Sequence, residues 1–499
     1  MKRILTIIAF VVISTVVVGQ GFYNHDWLLG SYFFIQDPKG RIEFDSTSYS
    51  HTVEFRKMPF LGTEATICNA QGDFLMSSNG VWIANANNDT MLNGGGLNQN
   101  AFTNNWPYGQ VLTYGHIFLP YPGDSDKYYL FHQTGDSLNN VPSTELYYSV
   151  IDMTLDGGLG GVTSQKNIIL FHDTLSWGLS ACKHANGRDW WVVAMKDNSD
   201  LIYKILVTSN GISNITTQHL GVAPSLGASM QICFSQDGSK FVCSLTNGGV
   251  IIEHFVRILD FDRCTGDFSN PRVFDVSGSI GWGLAFSPSG KYAYACSSTK
   301  IYQFNIDSLT VDTIAFYDGF ISPPGQTCCA TSFWNMYLAA NGKIYITSGS
   351  SVQHIHEMNY PDSAGVACDV QQHAVDLQSY RHGRAVPNHP NYNLGPVVGS
   401  VCDTLGVGIE EFHHDFHFGI SPNPVSNGMV KMIYLLPQNQ GGELTIFNIT
   451  GQVVYRQHLP PWSTLQYLDV SHLGGGVYSC VIRSGAEQVV KKLVVTGRK

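Results

Sequence analysis

Charge is scarce in this 499-residue chain: Asp, Glu, Lys and Arg together make 13% of it, against roughly 25% in an average soluble protein. What charge there is leans acidic, for a formal net of −10, which argues against nucleic acid or an anionic membrane as partner. Beyond the N-terminus no stretch is long and apolar enough to cross a bilayer, which takes roughly 20 residues. No long amphipathic helix pattern runs through the middle of the chain, which points away from helical and α/β architectures. No Cys-x-x-Cys occurs, and the adjacent Cys328-Cys329 lacks the spacing of a metal site. Gly-x-Ser-x-Gly is missing too, and no acid pair stands out from the turn aspartates, so no catalytic set is legible and no cofactor or metal is expected. The eleven cysteines are odd in number, so not all pair within the chain. Cys68, Cys233, Cys243, Cys296 and Cys480 fall in apolar strand-like runs where a thiol serves as a small core residue. No particular bridge is predicted.

What is present begins with a leader. Lys2 and Arg3 precede an almost unbroken apolar run from Leu5 to Val18. The run is too short to span a membrane and fits a secretory signal over 1–19, cleaved after Gly19. No Cys near that point invites lipidation.

The middle of the chain repeats itself. "ICFSQDGSKFVCSL" at 232–245, "LAFSPSGKYAYACS" at 284–297 and "MYLAANGKIYITS" at 336–348 each place two apolar segments around a Gly-bearing turn. That pattern is a β-hairpin. Earlier copies stand at 65–78 and 181–194, with another at "YPGDSDKYYLFHQ" (121–133). The turn glycines Gly187, Gly238, Gly290 and Gly342 recur 51, 52 and 52 residues apart, and Gly72 precedes Gly187 by 115, about two periods. A period near ~50 with about four strands per unit predicts a β-propeller over 20–400. Seven blades are expected, with six or eight as alternatives. The seventh would be built from both ends: "DWLLGSYFF" and "RIEFD" before the repeats, "RAVPNHPNYNLGPVV" after them.

Residues 401–418 lack the repeat and read as a linker. From 419 to 499 short alternating segments such as Leu444–Phe447 and Val477–Ile482 predict a small immunoglobulin-like β-sandwich. The whole is expected to be all-β.

Four elements occur in order in that last part: Ser421-Pro422-Asn423-Pro424, "IFNITGQVV" around Gly451, "LGGGVY" with Gly475 and Gly476, and "KKLVV" with Lys491 and Lys492. They resemble the type A sorting domain of the type IX secretion system. The resemblance implies passage across the outer membrane of a Gram-negative bacterium, the secretion machinery as partner, and a secreted or surface-attached product. Most of 25–403, including "GTEATICNAQGDFLMSSNGVWIANANNDTMLNG" and "PNHPNYNLGPVVGSVCD", is similar to the propeller region of surface proteins linked to gliding motility in the same bacteria. Asp followed by Ser or Thr and an apolar residue, as at Asp89-Thr90-Met91 and Asp312-Thr313-Ile314, resembles the O-glycosylation acceptor of such exported proteins; it is also ordinary turn chemistry.

The candidate contact residues are aromatic. Trp282 and Trp334 stand eight positions before their turn glycines, and Trp177 ten before its own. Inner propeller strands begin at one rim, so these rings should gather at one mouth, where exposed Trp suits sugar faces or peptide side chains; blade packing is the competing role. His354, His356 and Glu357 form an HxH pattern with no third ligand in sight. Arg381-His382-Gly383-Arg384 fits an anion, a solvated loop or the hydrogen bonding of ring closure. The expected function is non-enzymatic binding of a surface glycan or protein through one face. The alternatives are a propeller hydrolase or lyase acting on an extracellular polymer, and a structural surface component.

Overall fold

The structure is a computed structural model and describes residues 22–135, 143–221, 231–248, 252–276, 283–325, 327–403, 418–426, 428–434, 436, 440–461, 463–485 and 487–496. The leader at 1–19 and the linker from 404 onward lie outside the described residues.

Up to Asp376 the chain lays down antiparallel sheets in succession. The first takes Asp26–Leu29, Lys39–Phe44 and Tyr49–Glu54. The second takes Ala65–Cys68, Phe74–Ser78 and Ile83–Ala84. An eight-stranded sheet follows, from His116–Pro120 to Gly211–His219. Its long strand Ile168–Lys183 pairs through its first half with Ser143–Asp152 and through its second with Trp190–Lys196. Three four-stranded sheets complete the series, beginning at Ile232–Phe234, Leu284–Phe286 and Phe333–Leu338. The hairpins turn where the glycines stand: Gly72, Gly187, Gly238, Gly290 and Gly342 all have φ between +70° and +82°. A side chain there would meet its own backbone, which is why the period is written in glycine.

The sheets bury their faces against one another rather than within themselves. Val242, Val256 and Ile258 pack on Leu284, Phe286 and Phe304 of the next sheet, and Tyr294 and Ile301 pack on Met336, Ile344 and Ile346 of the one after. The last seam joins the end of the series to its beginning. Trp27 of the first sheet, fully buried, lies 5.7 Å from the Tyr345 ring and 5.6 Å from that of Tyr337, both in the last sheet. Leu29, Ile42 and Phe44 join Ile355 and Val375 in the same cluster. The ring is therefore closed, and the fold is an all-β, β-propeller-like one.

Closure differs from the expectation in one respect. The first sheet comes wholly from the N-terminal flank, and "RAVPNHPNYNLGPVV" forms no strand. Pro387, Pro390 and Pro396 have no N–H to offer a ladder. The segment instead runs through the ring, as described below.

Beyond the linker, two further sheets enclose a core of their own. One takes Phe418–Ser421, Met429–Tyr434 and Leu465–Asp469; the other takes Val453–Leu459, Gly442–Phe447, Gly476–Ser484 and Glu487–Val495. Between them lie Val430, Met432, Leu444, Ile446, Ile482 and Leu493, all buried.

Candidate functional site

One mouth of the ring lies where Phe333–Leu338 begins, opposite Ser348. Residue 384 stands at that mouth: its backbone N–H donates to Ser348 O at 2.7 Å and its Nε to Gly349 O at 3.1 Å. From there the chain descends the axis. Asn388 Nδ2 lies within 3.2 Å of the carbonyl oxygens of Tyr114 and His116 and 2.9 Å from that of Leu179. Tyr337 donates its hydroxyl to His389 O, and Tyr392 donates to Phe118 O at 2.9 Å. At the opposite mouth Asn391 Nδ2 donates to Gln236 O at 2.6 Å, and Val397 N–H reaches Ala185 O at 2.8 Å, beside the glycine turns. With His389 Nε2 also 3.3 Å from Thr66 Oγ1, one segment bonds to four sheets from inside. Asn and Tyr side chains supply the hydrogen bonds that proline removes from the backbone.

A disulfide fastens the segment's far end. Cys264, in the turn after Ile252–Phe261, is bonded to Cys402 across 138 residues of sequence. Arg263 donates from Nη2 to Gly395 O at 2.5 Å next to it. This bridge went unpredicted, and it makes the first residues of the expected linker part of the ring. The channel keeps a cavity of about 40 Å³, bordered by Gln231, Cys233, Leu284, Tyr337 and Asn388. That volume admits water and is too small for an organic ligand.

Near the upper mouth sits a buried acid. Glu64, just before Ala65–Cys68, is fully buried, and neither carboxylate oxygen has a hydrogen-bond partner. Burial pushes its carboxyl well above the usual range, and the Arg56 guanidinium only partly opposes this. Arg56 spends its own N–H groups on Gly40 O at 2.9 Å and Glu54 at 2.6 Å.

A partly exposed aromatic group stands beside this mouth. Tyr32 is 5.4 Å from Phe33, 6.0 Å from Trp106 and 6.1 Å from Tyr108, ring centre to ring centre. Phe33 is 62% exposed and Tyr108 51%. Rigid backbone holds them. Lys39 Nζ donates to the carbonyls of Phe34, Ile35 and Asp37, and Asn100 caps the short helix Ala101–Asn105. Asp37 accepts from Arg381 at 2.7 Å, whose guanidinium covers the Phe34 ring at 4.2 Å. Asn79 Nδ2, on a loop of the same mouth, donates to Tyr108 O at 3.0 Å. Sequence reading passed over this group because its two halves lie some 70 residues apart and neither is in the repeat.

The residues singled out from sequence fare unevenly. Trp334 is half-buried, with Gly349 against one face and the Arg384 guanidinium 5.5 Å from its ring centre. Trp177 is half-buried in a bulge of Ile168–Lys183, where Gln133 accepts from Gly178 N–H and donates to Ser176 O. Trp282 lies outside the described residues. The HxH pair does not converge on one point. His354 Nδ1 meets Ser322 Oγ at 2.7 Å, whereas His356 is buried between Thr331 O and the His373 N–H. Among the described residues no group of three or more His, Cys, Asp or Glu is placed to hold a metal. Arg381 to Arg384 serve ring closure: His382 Nδ1 accepts from Gly30 N–H at 3.2 Å, and its Nε2 meets Ala385 O. Of the Asp-Ser/Thr hydroxyl residues, Thr90, Thr174, Ser308 and Thr313 are exposed and Ser363 is half-buried.

In the C-terminal unit, Asn423 ties the Pro-Asn-Pro run to the final strand. Its Nδ2 donates to Lys492 O at 2.6 Å and its Oδ1 accepts from Val494 N–H at 2.9 Å. Pro422 and Pro424 follow cis bonds, and Gly451 turns with φ +80°. Gly475 and Gly476 lead into Gly476–Ser484, and Lys491 and Lys492 are exposed on the last strand.

No curated protein matches the chain. Among solved structures, a functionally unknown protein from Desulfotomaculum acetoxidans is 11% identical over 73% of this chain and 99% of its own, with a TM-score of 0.40. The periplasmic gluconolactonase of Pseudomonas aeruginosa is 11% identical over 90% of this chain and 99% of its own, with a TM-score of 0.35. Residues 419–496 match the family model of the secretion system C-terminal sorting domain, which supports export of this chain as type IX secretion cargo.

Proposed function

We propose that this chain is a surface-exposed or released binding protein of a Gram-negative bacterium, exported through a leader at 1–19 and the sorting domain at 419–499. Its ring, 20–400, is read as a seven-bladed propeller, the eight-stranded sheet being two blades that share Ile168–Lys183. The sorting domain is read as an immunoglobulin-like sandwich. The observation that carries the binding reading is the occupied axis. A channel filled by residues 384–397 leaves the rim as the surface a ligand can reach, and the rim bears Tyr32, Phe33, Trp106 and Tyr108. Flat, rigid rings at that exposure suit the apolar faces of a glycan. Trp334, beside Arg384, and Trp177 would extend the contact.

Replacing Phe33 and Tyr108 together with Ala tests this. Binding to an array of bacterial surface glycans should fall at least tenfold, with thermal stability nearly unchanged because both rings are exposed. Undiminished binding by a stably folded double variant would remove the rim from the function.

A further inference from the structure

Among the described residues the C-terminal unit touches the ring through a polar contact that is largely buried. The turn after Lys39–Phe44 is built by Asp45, whose Oδ1 accepts from the N–H of Thr47 at 2.7 Å and of Ser48 at 2.5 Å. Its Oδ2 accepts from Ser48 Oγ at 2.8 Å and, across the contact, from Gln466 Nε2 at 3.1 Å. Ser46 donates its N–H to Leu465 O at 3.2 Å and its hydroxyl to the same oxygen at 2.8 Å. Tyr434 OH stands 3.3 Å from Ser46 Oγ and donates to Ser463 Oγ at 3.1 Å. Thr47 donates to Gln466 Oε1 at 3.3 Å, and Lys431 Nζ donates to Gln71 O at 3.0 Å on the neighbouring hairpin turn. Asp45, Ser46, Tyr434 and Gln466 are each no more than 4% exposed.

We propose that the Asp45–Ser48 turn, with the carbonyl of Gln71, is a docking surface for the chain's own C-terminal unit. It holds that unit in a single orientation instead of leaving it to swing on a tether. The occupant is set by complementarity. The turn offers an N–H, a hydroxyl and a carboxylate oxygen, and the strands Met429–Tyr434 and Leu465–Asp469 present a carbonyl, an amide side chain and a Tyr hydroxyl in matching register. Buried polar groups of this kind are costly to leave unpaired, so separation exposes or orphans each of them. The contact uses the sheet of Met429–Tyr434 and Leu465–Asp469, and the other sheet carries the exposed Val453, Val477 and Val490.

Small-angle scattering and amide exchange on the full chain decide the matter. The intact protein should scatter as one compact body, and its Ser46 amide should exchange at least tenfold more slowly than an open turn. Ser46→Arg should lengthen the maximum dimension and broaden the distance distribution while the amides of Gly442–Phe447 stay protected. Gln466→Ala, which changes no backbone, should give a partial version of the same loosening. An intact chain that already scatters as two independent bodies, or a Ser46→Arg variant indistinguishable from it, would overturn the proposal.

Discussion

The ring and the C-terminal unit use the same material, short twisted strands and glycine turns, and hold themselves together in different ways. The C-terminal unit wraps two sheets around one cluster drawn entirely from residues 418–495. It has an inside. In the ring, by contrast, the principal clusters straddle neighbouring sheets, and the last of them joins residue 27 to residue 375. Stability there resides in the seams, so each sheet depends on its neighbours and closure depends on both ends of the region.

Three substitutions would break or sharpen that contrast. Trp27→Ala opens a cavity in the closing seam, beside Phe44, Tyr337 and Tyr345. It should cost about 3–5 kcal/mol of ring stability. Denaturant unfolding followed by ring tryptophan fluorescence should show that loss, while amides of the C-terminal core keep their own midpoint; a common shift would mean the two regions unfold as one. Asn388→Ala strips the axis of a side chain facing three carbonyls. Its cost should be roughly 1–3 kcal/mol, read in the same experiment, again without effect on the C-terminal unit.

The smallest effect has the opposite sign. Folding raises the carboxyl pKa of Glu64 above the ordinary 4.5. Below 4.5 the acid is neutral in both states and its burial carries no ionisation penalty. As pH rises from there, the unfolded chain gives up its proton more readily than the folded one, so stability falls until the folded group ionises as well. Glu64→Gln should therefore be more stable than the parent at neutral pH, with the gap closing as pH drops through 4.5. A gap independent of pH would assign the difference to packing instead.

Much of this architecture was legible in the sequence because the ring repeats and its turns demand positive φ. Gly72, Gly187, Gly238, Gly290 and Gly342 mark equivalent hairpins for that reason. The Pro-Asn-Pro run was equally readable, and Asn423 shows what it does, bonding the first strand's exit to the last strand. What escaped was whatever depends on distant partners. Cys264 and Cys402 are neighbours only because residues 384–397 cross the axis first. The alternation in "RAVPNHPNYNLGPVV" mimics a strand, yet its prolines deny the ladder and its Asn and Tyr side chains replace it. Likewise Tyr32 and Tyr108 meet through two loops that carry no period.

The axial segment also gives the molecule a front and a back. It enters at the mouth bearing Phe33 and Tyr108 and leaves among the glycine turns, where Cys402 is fastened. The turn at Gln71, on that same exit side, is where Lys431 makes contact. The aromatic rim lies at the opposite mouth, so one end of the ring carries the exposed rings and the other the contact with the C-terminal unit.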